Sequence, residues 1–483
     1  MRLADFFSLA AATATAIPTD IPVVTRDVCI LGGGATGTYA AVQLREQGKT
    51  VALVEKKEQL GGHAETLYLP EDNYVNYGVE GYFNNELTKT FFDQLNVDYE
   101  PLLPGSILTK YVDFSTGQSA LPGDGILGTV AGALLYRGAI EQFDYLSTGA
   151  YYLPEKVPEV LLRPFREFVK DHALQGALNV IFTFAQNLGD LLERPLLYVI
   201  MNFGIPQIDA LVQGGYIRPK NGTGELFTKA ANYIDPVNIF YSSTTIQTSR
   251  NSTGVELLIQ NTDGTRTLIR AKKLLIAFPP TLEALQAQGF DLRDTESTLF
   301  SKWNHVSYYA AALTNTGLPD GFNIANTDPN SNQPGNLPLP PFLWELEYSG
   351  VSGYFMTKIV GPPDNFTAAD AKDLIISNLR AMGEAGTYST TPDELTIAAF
   401  ASHSPETLTV SVDERQLIVA NPMGLILFIV FLFYPDQNPY RNGELERERD
   451  LQRQWDLRRE TELQWEYNQQ HEWDMERESE RAY

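Results

Sequence analysis

The chain has 483 residues, more than one hydrophobic core usually organises, so two intertwined domains with tails are expected. It carries 36 Lys and Arg against 60 Asp and Glu, a net charge of −24. Such a surface repels phosphate backbones, which argues against nucleic acid and anionic membranes as partners. A neutral or cationic small-molecule substrate fits the charge better.

The N-terminus has the composition of a targeting segment. Arg2 precedes an apolar stretch, residues 3–16, that ends in small residues at the spacing of a cleavage site. We therefore predict a signal peptide over residues 1–20 and a secreted or secretory-pathway protein; a frayed N-terminal helix is the alternative. Three sequons, at Asn221, Asn251 and Asn365, agree with a secreted glycoprotein.

A short βαβ unit follows this segment. Residues 27–31 form an apolar run typical of a buried strand, residues 39–46 have helical character, and residues 50–54 form a second buried strand. The single cysteine, Cys29, lies in the first run and is predicted to be a buried strand residue. The five histidines are scattered without metal-ligand spacing, so no metal site is predicted.

The loop of this unit carries the pattern G-x-G-x-x-G at Gly32, Gly34 and Gly37, and Glu55 ends the second strand. Gly32 permits a tight turn, Gly34 has no side chain to keep a pyrophosphate from the backbone, and Gly37 allows close packing of helix on strand. The helix N-terminus then offers N–H groups to phosphates. Glu55 can accept hydrogen bonds from ribose hydroxyls and would repel the 2′-phosphate of NADP.

The rest of the chain alternates between helical and extended patterns. Residues 157–211 are helix-rich, and three runs at 239–246, 255–260 and 267–271 predict a β-meander. Residues 273–278 predict a separate buried strand halted by two prolines. Residues 342–348 alternate as a half-exposed strand with one aromatic face, residues 315–341 read as a long loop, and residues 368–383 predict a helix.

A second glycine pair favours FAD over NAD. Gly61 and Gly62, followed by His63, bring backbone close to the dinucleotide again soon after Glu55. With this segment the chain resembles flavin-dependent amine oxidases and phytoene desaturases. His63, residues 76–79 and residues 275–280 make it similar to the fungal FAD-dependent group that includes beta-cyclopiazonate dehydrogenase. The resemblance covers roughly residues 25–411.

The resemblance implies a set of FAD contacts. Thr245 would lie near the adenine through its backbone, and His63 could hydrogen-bond the flavin, carry a covalent link to it, or touch only phosphate or solvent. The full set is Gly32, Gly34, Ala35, Gly37, Glu55, Gly61, Gly62, His63 and Thr245.

The chemistry implied is hydride transfer from a C–N or C–C bond of a small, largely apolar substrate, a secondary metabolite or an amine, held above the flavin. Tyr82, Trp344 and Tyr354 are weak candidates for the substrate pocket, because aromatic residues more often fill cores. No general base can be named.

The predicted fold class is α/β (α+β overall): a Rossmann-like FAD-binding domain with a β-meander, and a mixed substrate domain of helices and antiparallel sheet. The FAD-binding domain comprises residues 25–85 and 214–290. Residues 86–213 form a helix-rich substrate or cap region, and residues 291–412 the sheet of the substrate domain and its return.

Residues 413–483 differ in kind from the rest. Residues 423–434 form an apolar run shorter than the roughly 18–20 residues of a membrane helix, so no stable span is favoured. Residues 441–483 are almost entirely charged, Gln and Trp, as in an exposed helix or a disordered tail. The family's C-terminal glycine turn and flavin-facing helix have no counterpart after Asp413. We expect that this tail replaces the family's ending, through an alternative exon or a faulty gene model, and packs poorly.

Two other functions are compatible with the sequence. The missing ending could leave a non-catalytic, flavoprotein-like remnant. An NAD-dependent dehydrogenase is the third interpretation, and Gly61-Gly62-His63 and the lack of a second G-x-G-x-x-G disfavour it.

Overall fold

A computed structural model describes residues 21–410, apart from residues 104, 107, 122–127, 148–152, 155–156, 214 and 391–392. The predicted signal peptide and the predictions for residues 413–483 therefore lie outside the described residues. The strands are β1 (Val23–Leu31), β2 (Val51–Val54), β3 (Thr66–Tyr68), β4 (Tyr74–Asn76), β5 (Tyr82–Phe83), β6 (Tyr99–Pro101), β7 (Thr109–Val112), β8 (Tyr216–Pro219), β9 (Ile239–Phe240), β10 (Ser243–Asn251), β11 (Gly254–Asn261), β12 (Arg266–Ile276), β13 (Trp303–Thr314), β14 (Asn323–Asn326), β15 (Phe342–Leu343), β16 (Glu345–Tyr348), β17 (Tyr354–Gly361), β18 (Thr396–Ser402) and β19 (Glu406–Val410).

The α-helices are α1 (Ala35–Glu46), α2 (Glu86–Gln94), α3 (Gly128–Ile140), α4 (Glu159–Leu162), α5 (Phe165–Asp171), α6 (Leu178–Ala185), α7 (Leu196–Asn202), α8 (Ile205–Gln213), α9 (Thr223–Ile234), α10 (Leu282–Ala287), α11 (Asp294–Phe300) and α12 (Ala368–Glu384). Short 3-10 helices occupy Glu141–Leu146, Gln175–Ala177, Gln186–Leu188, Leu191–Glu193, Pro236–Asn238 and Pro334–Asn336. Within the described part of the chain, no helix is long and apolar enough to cross a membrane.

The first sheet has the strand order β10-β11-β12-β1-β2-β9 and carries the predicted βαβ unit. β12, β1, β2 and β9 run parallel, and β10 to β12 form the predicted antiparallel meander. The residues from Cys29 to Leu31 are buried, as the apolar run predicted. Burial raises the pKa of the Cys29 thiol to about 12, so it stays protonated and packs as an apolar residue.

One boundary prediction in this sheet is wrong. Residues 267–271 and 273–278 were expected to form two strands, but they belong to the single strand β12, Arg266–Ile276. The reason is its central position: β1 pairs with it continuously, from Val23 against Leu268 to Leu31 against Ile276. A strand that serves both the meander and the parallel half of the sheet must be long.

The second sheet has the order β18-β13-β17-β16-β14-β7, with β15 paired to β17 and β19 paired to β13. Residues 315–341 were predicted to form a long loop, but they contain β14. This strand was not predicted because it is short and begins and ends with Asn. The half-exposed strand predicted at 342–348 is also wrong, because Phe342, Leu343, Glu345 and Leu346 are all buried. Phe342 packs on the core of the helix-rich region while Leu343 and Leu346 pack beneath α12, so both faces are covered.

The helix-rich region has a core of its own. Phe165, Phe168 and Val169 are buried in it, as their helical spacing predicted. His172, predicted on the same face, is exposed, because α5 ends at Asp171 before the turn that contains it. The helix predicted at 368–383 is confirmed as α12, with Thr367 as its N-cap.

Candidate functional site

Two of the three loop glycines are required by packing. Gly32 has φ +102°, and a Cβ on it would lie 2.8 Å from the Ala277 carbonyl oxygen at the end of β12. A Cβ on Gly37 would lie 1.9 Å from the Gly32 carbonyl oxygen. Both distances are too short for real Cβ atoms, so any side chain would push α1 away from the sheet. The roles predicted for these two glycines agree with this geometry.

Gly34 is different, because the protein itself does not require a glycine there. Its φ is −69°, which any residue adopts, and a Cβ would meet nothing closer than Gly62 Cα at 3.7 Å. Gly34 is the N-cap residue of α1 and contributes no side-chain cap. A Cβ would only fill open space before the helix N-terminus, where a phosphate could approach.

The second glycine pair lies directly against this loop. The Gly61 N–H donates to the Gly33 carbonyl at 2.9 Å, and Gly34 and Gly61 form a parallel bridge. Gly62 has φ +60°, and a Cβ on it would lie 2.8 Å from Gly34 Cα. The two glycine segments, distant by two elements in sequence, thus form one continuous backbone surface.

Glu55 is buried at the end of β2 and holds the same loops. Its Oε2 accepts a hydrogen bond from the Gly33 N–H at 2.6 Å, and its Oε1 accepts one from the Lys57 N–H at 2.8 Å. Its backbone carbonyl accepts a bond from the Ser243 N–H at 3.0 Å, which places the start of β10 beside it. Each carboxylate oxygen keeps a further lone pair, so the present bonds do not preclude one to a ribose.

Thr245 lies on β10, two residues beyond Ser243, next to a register shift between Thr245 and Gln247. It is buried, and its Oγ1 makes no hydrogen bond to any described residue. A buried hydroxyl without a partner is uncommon and is compatible with a group that is bound there.

A cluster of charged and aromatic side chains surrounds His63. Its ring stacks on that of His403 with the centroids 4.2 Å apart, and its Nδ1 lies 3.2 Å from Glu406 Oε2. The ring of Tyr308 is nearly parallel to that of His403, with the centroids 6.0 Å apart. We call these residues, with Glu65, the histidine cluster. The sequence did not suggest that two of its five histidines meet.

Glu65 provides a negative charge in this cluster, next to Lys57. It forms an ion pair with Lys57, whose Nζ also donates to the Gly62 carbonyl at 2.9 Å, and it accepts a bond from the Tyr77 hydroxyl at 3.4 Å. Its Oε1 lies 3.8 Å from His403 Nε2, longer than a hydrogen bond. Although burial acts in the other direction, His403 and Lys57 hold the pKa of Glu65 below its usual value.

The two imidazoles are kept neutral at pH 7. Burial lowers the pKa of His403 to about 4, against the opposing effect of Glu65. Desolvation, with the neighbouring His403 ring and Lys57, holds the pKa of His63 well below its usual range. The side chain of His63 is 37% exposed, so it is the part of the cluster that an external group can reach.

Lys358 ties the second sheet to this region. Its Nζ donates to the carbonyl of Tyr77 and, at 3.2 Å, to that of Gly78, inside the segment 76–79 that carries the family resemblance. Two carboxyls of β16 lie on the same side of that sheet. Burial and the charge of Glu347 raise the pKa of Glu345 to about 8, and burial and Glu80 raise that of Glu347 to about 7.

The three aromatic candidates occupy core positions. Tyr82 is buried in the core of the first sheet, with its ring edge against Phe92 at 5.3 Å. Trp344 packs against the core of the helix-rich region, and Tyr354 packs against the cluster that contains Tyr77. Their role as pocket residues stays a prediction.

The sequence of the chain is similar to those of known proteins. Residues 30–95 match the family model of the NAD(P)-binding Rossmann-like domain. The chain is 39% identical to beta-cyclopiazonate dehydrogenase of Aspergillus flavus over 416 residues, 86% of this chain and 89% of that one. It is 31% identical to the FAD-dependent oxidoreductase dpasF of Apiospora sacchari over 77% of this chain and 80% of the relative. The chain belongs to this family of fungal FAD-dependent oxidoreductases.

Solved structures show the same fold at low identity. The fatty acid isomerase from P. acnes that produces CLA superposes with a TM-score of 0.62 at 16% identity, over 82% of this chain and 89% of that chain. A putrescine oxidase superposes with a TM-score of 0.52 at 17% identity, over 79% of this chain and 85% of that chain. The predicted fold class, with a Rossmann-like domain and an amine-oxidase-like arrangement, is confirmed, and the cofactor of this oxidoreductase is FAD.

The described residues fit FAD on two observations of this structure. Gly34 leaves open space before the N-terminus of α1 that packing does not explain. Thr245 Oγ1 and His403 Nε2 are buried without a hydrogen-bond partner among the described residues. The predicted set would hold the cofactor through backbone at Gly32, Gly34, Ala35, Gly37, Gly61, Gly62 and Thr245, and through side chains at Glu55 and His63; each contact stays a prediction.

Sequence reasoning missed the partners of His63. His403 and Glu406 lie in a segment with no motif, and Glu65 follows the glycine pair by only three residues without a pattern of its own. The one available signal was that polar residues at 403, 404 and 406 interrupt two strand-like runs. That signal does not say which part of the chain these residues contact.

Proposed function

We propose that this FAD-dependent oxidoreductase removes a hydride from a C–N or C–C bond of a small, largely apolar substrate, a secondary metabolite or an amine. The relative from Aspergillus flavus carries the name of a dehydrogenase for beta-cyclopiazonate, which supports a small organic substrate. The similarity of the fold to a putrescine oxidase supports nothing finer than the architecture.

The observation that carries the proposal is the row of three nearly parallel rings formed by His63, His403 and Tyr308. The row begins at the second glycine pair and ends on β13 of the second sheet, so it joins the FAD-binding loops to the substrate domain. Flat, uncharged rings offer stacking and apolar surface to a flat organic molecule. Because both imidazoles are neutral at pH 7, a cationic wall does not oppose an apolar ligand.

When bound, FAD supplies a two-electron acceptor for the hydride. The chain contributes position and desolvation. Glu55 accepts hydrogen bonds from the Gly33 and Lys57 N–H groups, Lys358 fixes the segment 76–79, and the rings of His403 and Tyr308 are buried. The imidazole of His63 is partly exposed and uncharged, so it can contact a bound group without adding positive charge. An open cavity of about 350 Å³, lined by Lys57 and Glu65 among others, adjoins the cluster.

We also propose that the protein is a glycoprotein of the secretory pathway. Asn221, Asn251 and Asn365, the three sequon asparagines, are all exposed, which supports this proposal. Treatment of protein secreted by a fungal host with a peptide N-glycosidase tests it. A mass loss that disappears when all three asparagines are replaced by Gln is expected, and an unchanged mass with intracellular retention contradicts it.

The test of the function is an absorbance spectrum of the purified protein before and after acid precipitation. Bands at about 375 and 450 nm, bleached anaerobically by a substrate of the proposed class, are expected. A colourless protein that takes up no added FAD contradicts the proposal and supports an inactive remnant. If the colour stays with the pellet, the variant His63→Ala decides whether His63 carries a covalent link.

A further inference from the structure

The side chain of His63 is held by a distant part of the chain. Its contacts come from the turn that joins β18 to β19, residues 403–406, which we call the return turn. The His403 ring stacks on it at 4.2 Å with the planes 13° apart, the His403 backbone hydrogen-bonds it, and Glu406 Oε2 lies 3.2 Å from its Nδ1. The backbone of His63 is held separately, since its carbonyl accepts a bond from the Val79 N–H at 2.8 Å.

The return turn is fixed before it reaches His63. The His403 N–H donates to the Tyr308 carbonyl at 2.9 Å, and Ser404 Oγ accepts from the Tyr308 N–H at 2.8 Å. The flanking strands both pair with β13, Ser402 against Tyr309 and Glu406 against Val306. His403 and Glu406 are each 5% exposed, so neither side chain can leave without breaking this packing.

The electrostatics select one form of the imidazole. Lys57 forms an ion pair with Glu65, which neutralises its positive charge. The carboxylate of Glu406 faces Nδ1 of His63. A neutral imidazole has a single N–H, and Glu406 Oε2 is an acceptor placed directly beside Nδ1. With the proton on Nδ1, Nε2 keeps its lone pair. The same carboxylate–imidazole pairing orients histidines in metal sites and hydrolases.

From these contacts we propose that His403 and Glu406 are positioning residues: the return turn holds the ring of His63 beside the FAD-binding loops, and Glu406 fixes the tautomer that presents Nε2 as an acceptor. The inference rests on the proposed FAD site, next to which residues 403–406 lie. The distance of 3.2 Å between Nδ1 and Glu406 Oε2 is within reach of a hydrogen bond.

The first test is titration of the full-length apoprotein with FAD, followed by quenching of flavin fluorescence. Glu406→Ala removes the partner of Nδ1 and is expected to weaken FAD binding about tenfold, the worth of one hydrogen bond to a charged group. Glu406→Gln keeps an acceptor of the same shape and is expected to recover most of that loss. His403→Phe keeps the stacked ring and FAD affinity, whereas His403→Ala does not.

The second test reads the tautomer directly. Long-range ¹H–¹⁵N spectra of the apoprotein labelled at histidine nitrogens distinguish a protonated Nδ1 from a protonated Nε2. A protonated Nδ1 is expected for His63 in the wild type, and a mixture of tautomers in Glu406→Ala. This measurement needs no FAD, so it stands even if the wild type binds none, an outcome that would sink the proposed function alone.

Glu384→Gln and His172→Phe are matched controls, since both residues are exposed and lie outside the cluster. Thermal unfolding shows whether each variant folds, and Glu406→Leu, which also removes the acceptor but fills the space, replaces Glu406→Ala if the latter does not. The proposal is overturned if Glu406→Ala binds FAD within twofold of the wild type and leaves the His63 tautomer unchanged. It is equally overturned if His403→Ala and His403→Phe behave alike.

Discussion

The glycine-rich loop and the histidine cluster both contribute to the proposed FAD site, and they are built by opposite means. The loop is made of backbone: Gly33, Gly34 and Gly61 meet through main-chain contacts, and the distances leave no room for side chains at Gly32 and Gly37. The cluster is made of side chains from both ends of the described chain, two imidazoles and two carboxylates with a lysine beside them.

The difference determines how each region responds to substitution. A closely packed backbone surface responds to an added atom according to the space at that position, so its failures are steric and independent of pH. A cluster of buried ionisable groups depends on which of them carry protons, so its failures follow pH. Substitutions in the loop therefore test steric effects, and substitutions in the cluster test effects that depend on pH.

The largest contrast lies within the loop itself. Gly37→Ala places a Cβ 1.9 Å from a backbone carbonyl that cannot yield, so a loss of more than about 3 kcal/mol in the free energy of unfolding is expected. Gly34→Ala meets nothing closer than 3.7 Å and should melt like the wild type, while binding FAD about 10–100-fold more weakly. Thermal melts and FAD titrations of the two variants measure this. Tight FAD binding by Gly34→Ala would contradict the idea that its open space receives a phosphate.

Lys358 provides the next contrast, since it joins the two regions. Lys358→Met leaves the carbonyls of Tyr77 and Gly78 without their donor, and a loss of about 2–3 kcal/mol is expected in urea unfolding. Lys273→Met, at an exposed lysine on β12, is the control and should change stability little. Equal effects of the two substitutions would show that Lys358 does not hold the segment 76–79.

The same difference between the loop and the cluster explains how much of each region could be predicted from the sequence. The loop, Glu55 and the parallel strands are neighbours in sequence, and their spacing alone indicates the βαβ unit. The meeting of His63 with His403 and Glu406 depends on β18 and β19 both pairing with β13, a long-range arrangement without a local pattern. The burial of Glu345 was missed for a related reason: the alternation at 342–348 assumed one open face, whereas helices cover both.

Glu345 makes the stability of the fold depend on pH. Its pKa rises from the ordinary carboxyl value to about 8 in the folded state, so between about pH 4.5 and 8 the native state binds the extra proton and stability falls as pH rises. Glu345→Gln removes this dependence and is expected to stabilise the protein markedly at pH 8 and little at pH 5. Urea unfolding at both pH values measures it, with exposed Glu58→Gln as control. A stabilisation that does not change with pH would show that Glu345 is ionised in the fold.

The pH dependence of stability that His403 causes should have the opposite sign to that from Glu345. Its expected effect is the smallest of the four predictions. Its folded-state pKa of about 4 is below that of the unfolded chain, near 6.5, so the stability it contributes is complete above pH 6.5 and is lost as pH falls toward 4. Lys57, Lys358 and Glu65 face this ring, and its stacked neighbour His63 shifts in the same direction. Between pH 7 and 5 the wild type should lose about 2 kcal/mol more than His403→Gln.

The contributions of Glu345 and Glu347 oppose this loss in the same pH range, but they are present in both proteins and cancel in the difference. His172→Gln, at an exposed histidine, should follow the wild type. If His403→Gln loses as much stability on acidification as the wild type, the pKa of His403 does not change on folding, and burial does not hold this imidazole in its neutral form.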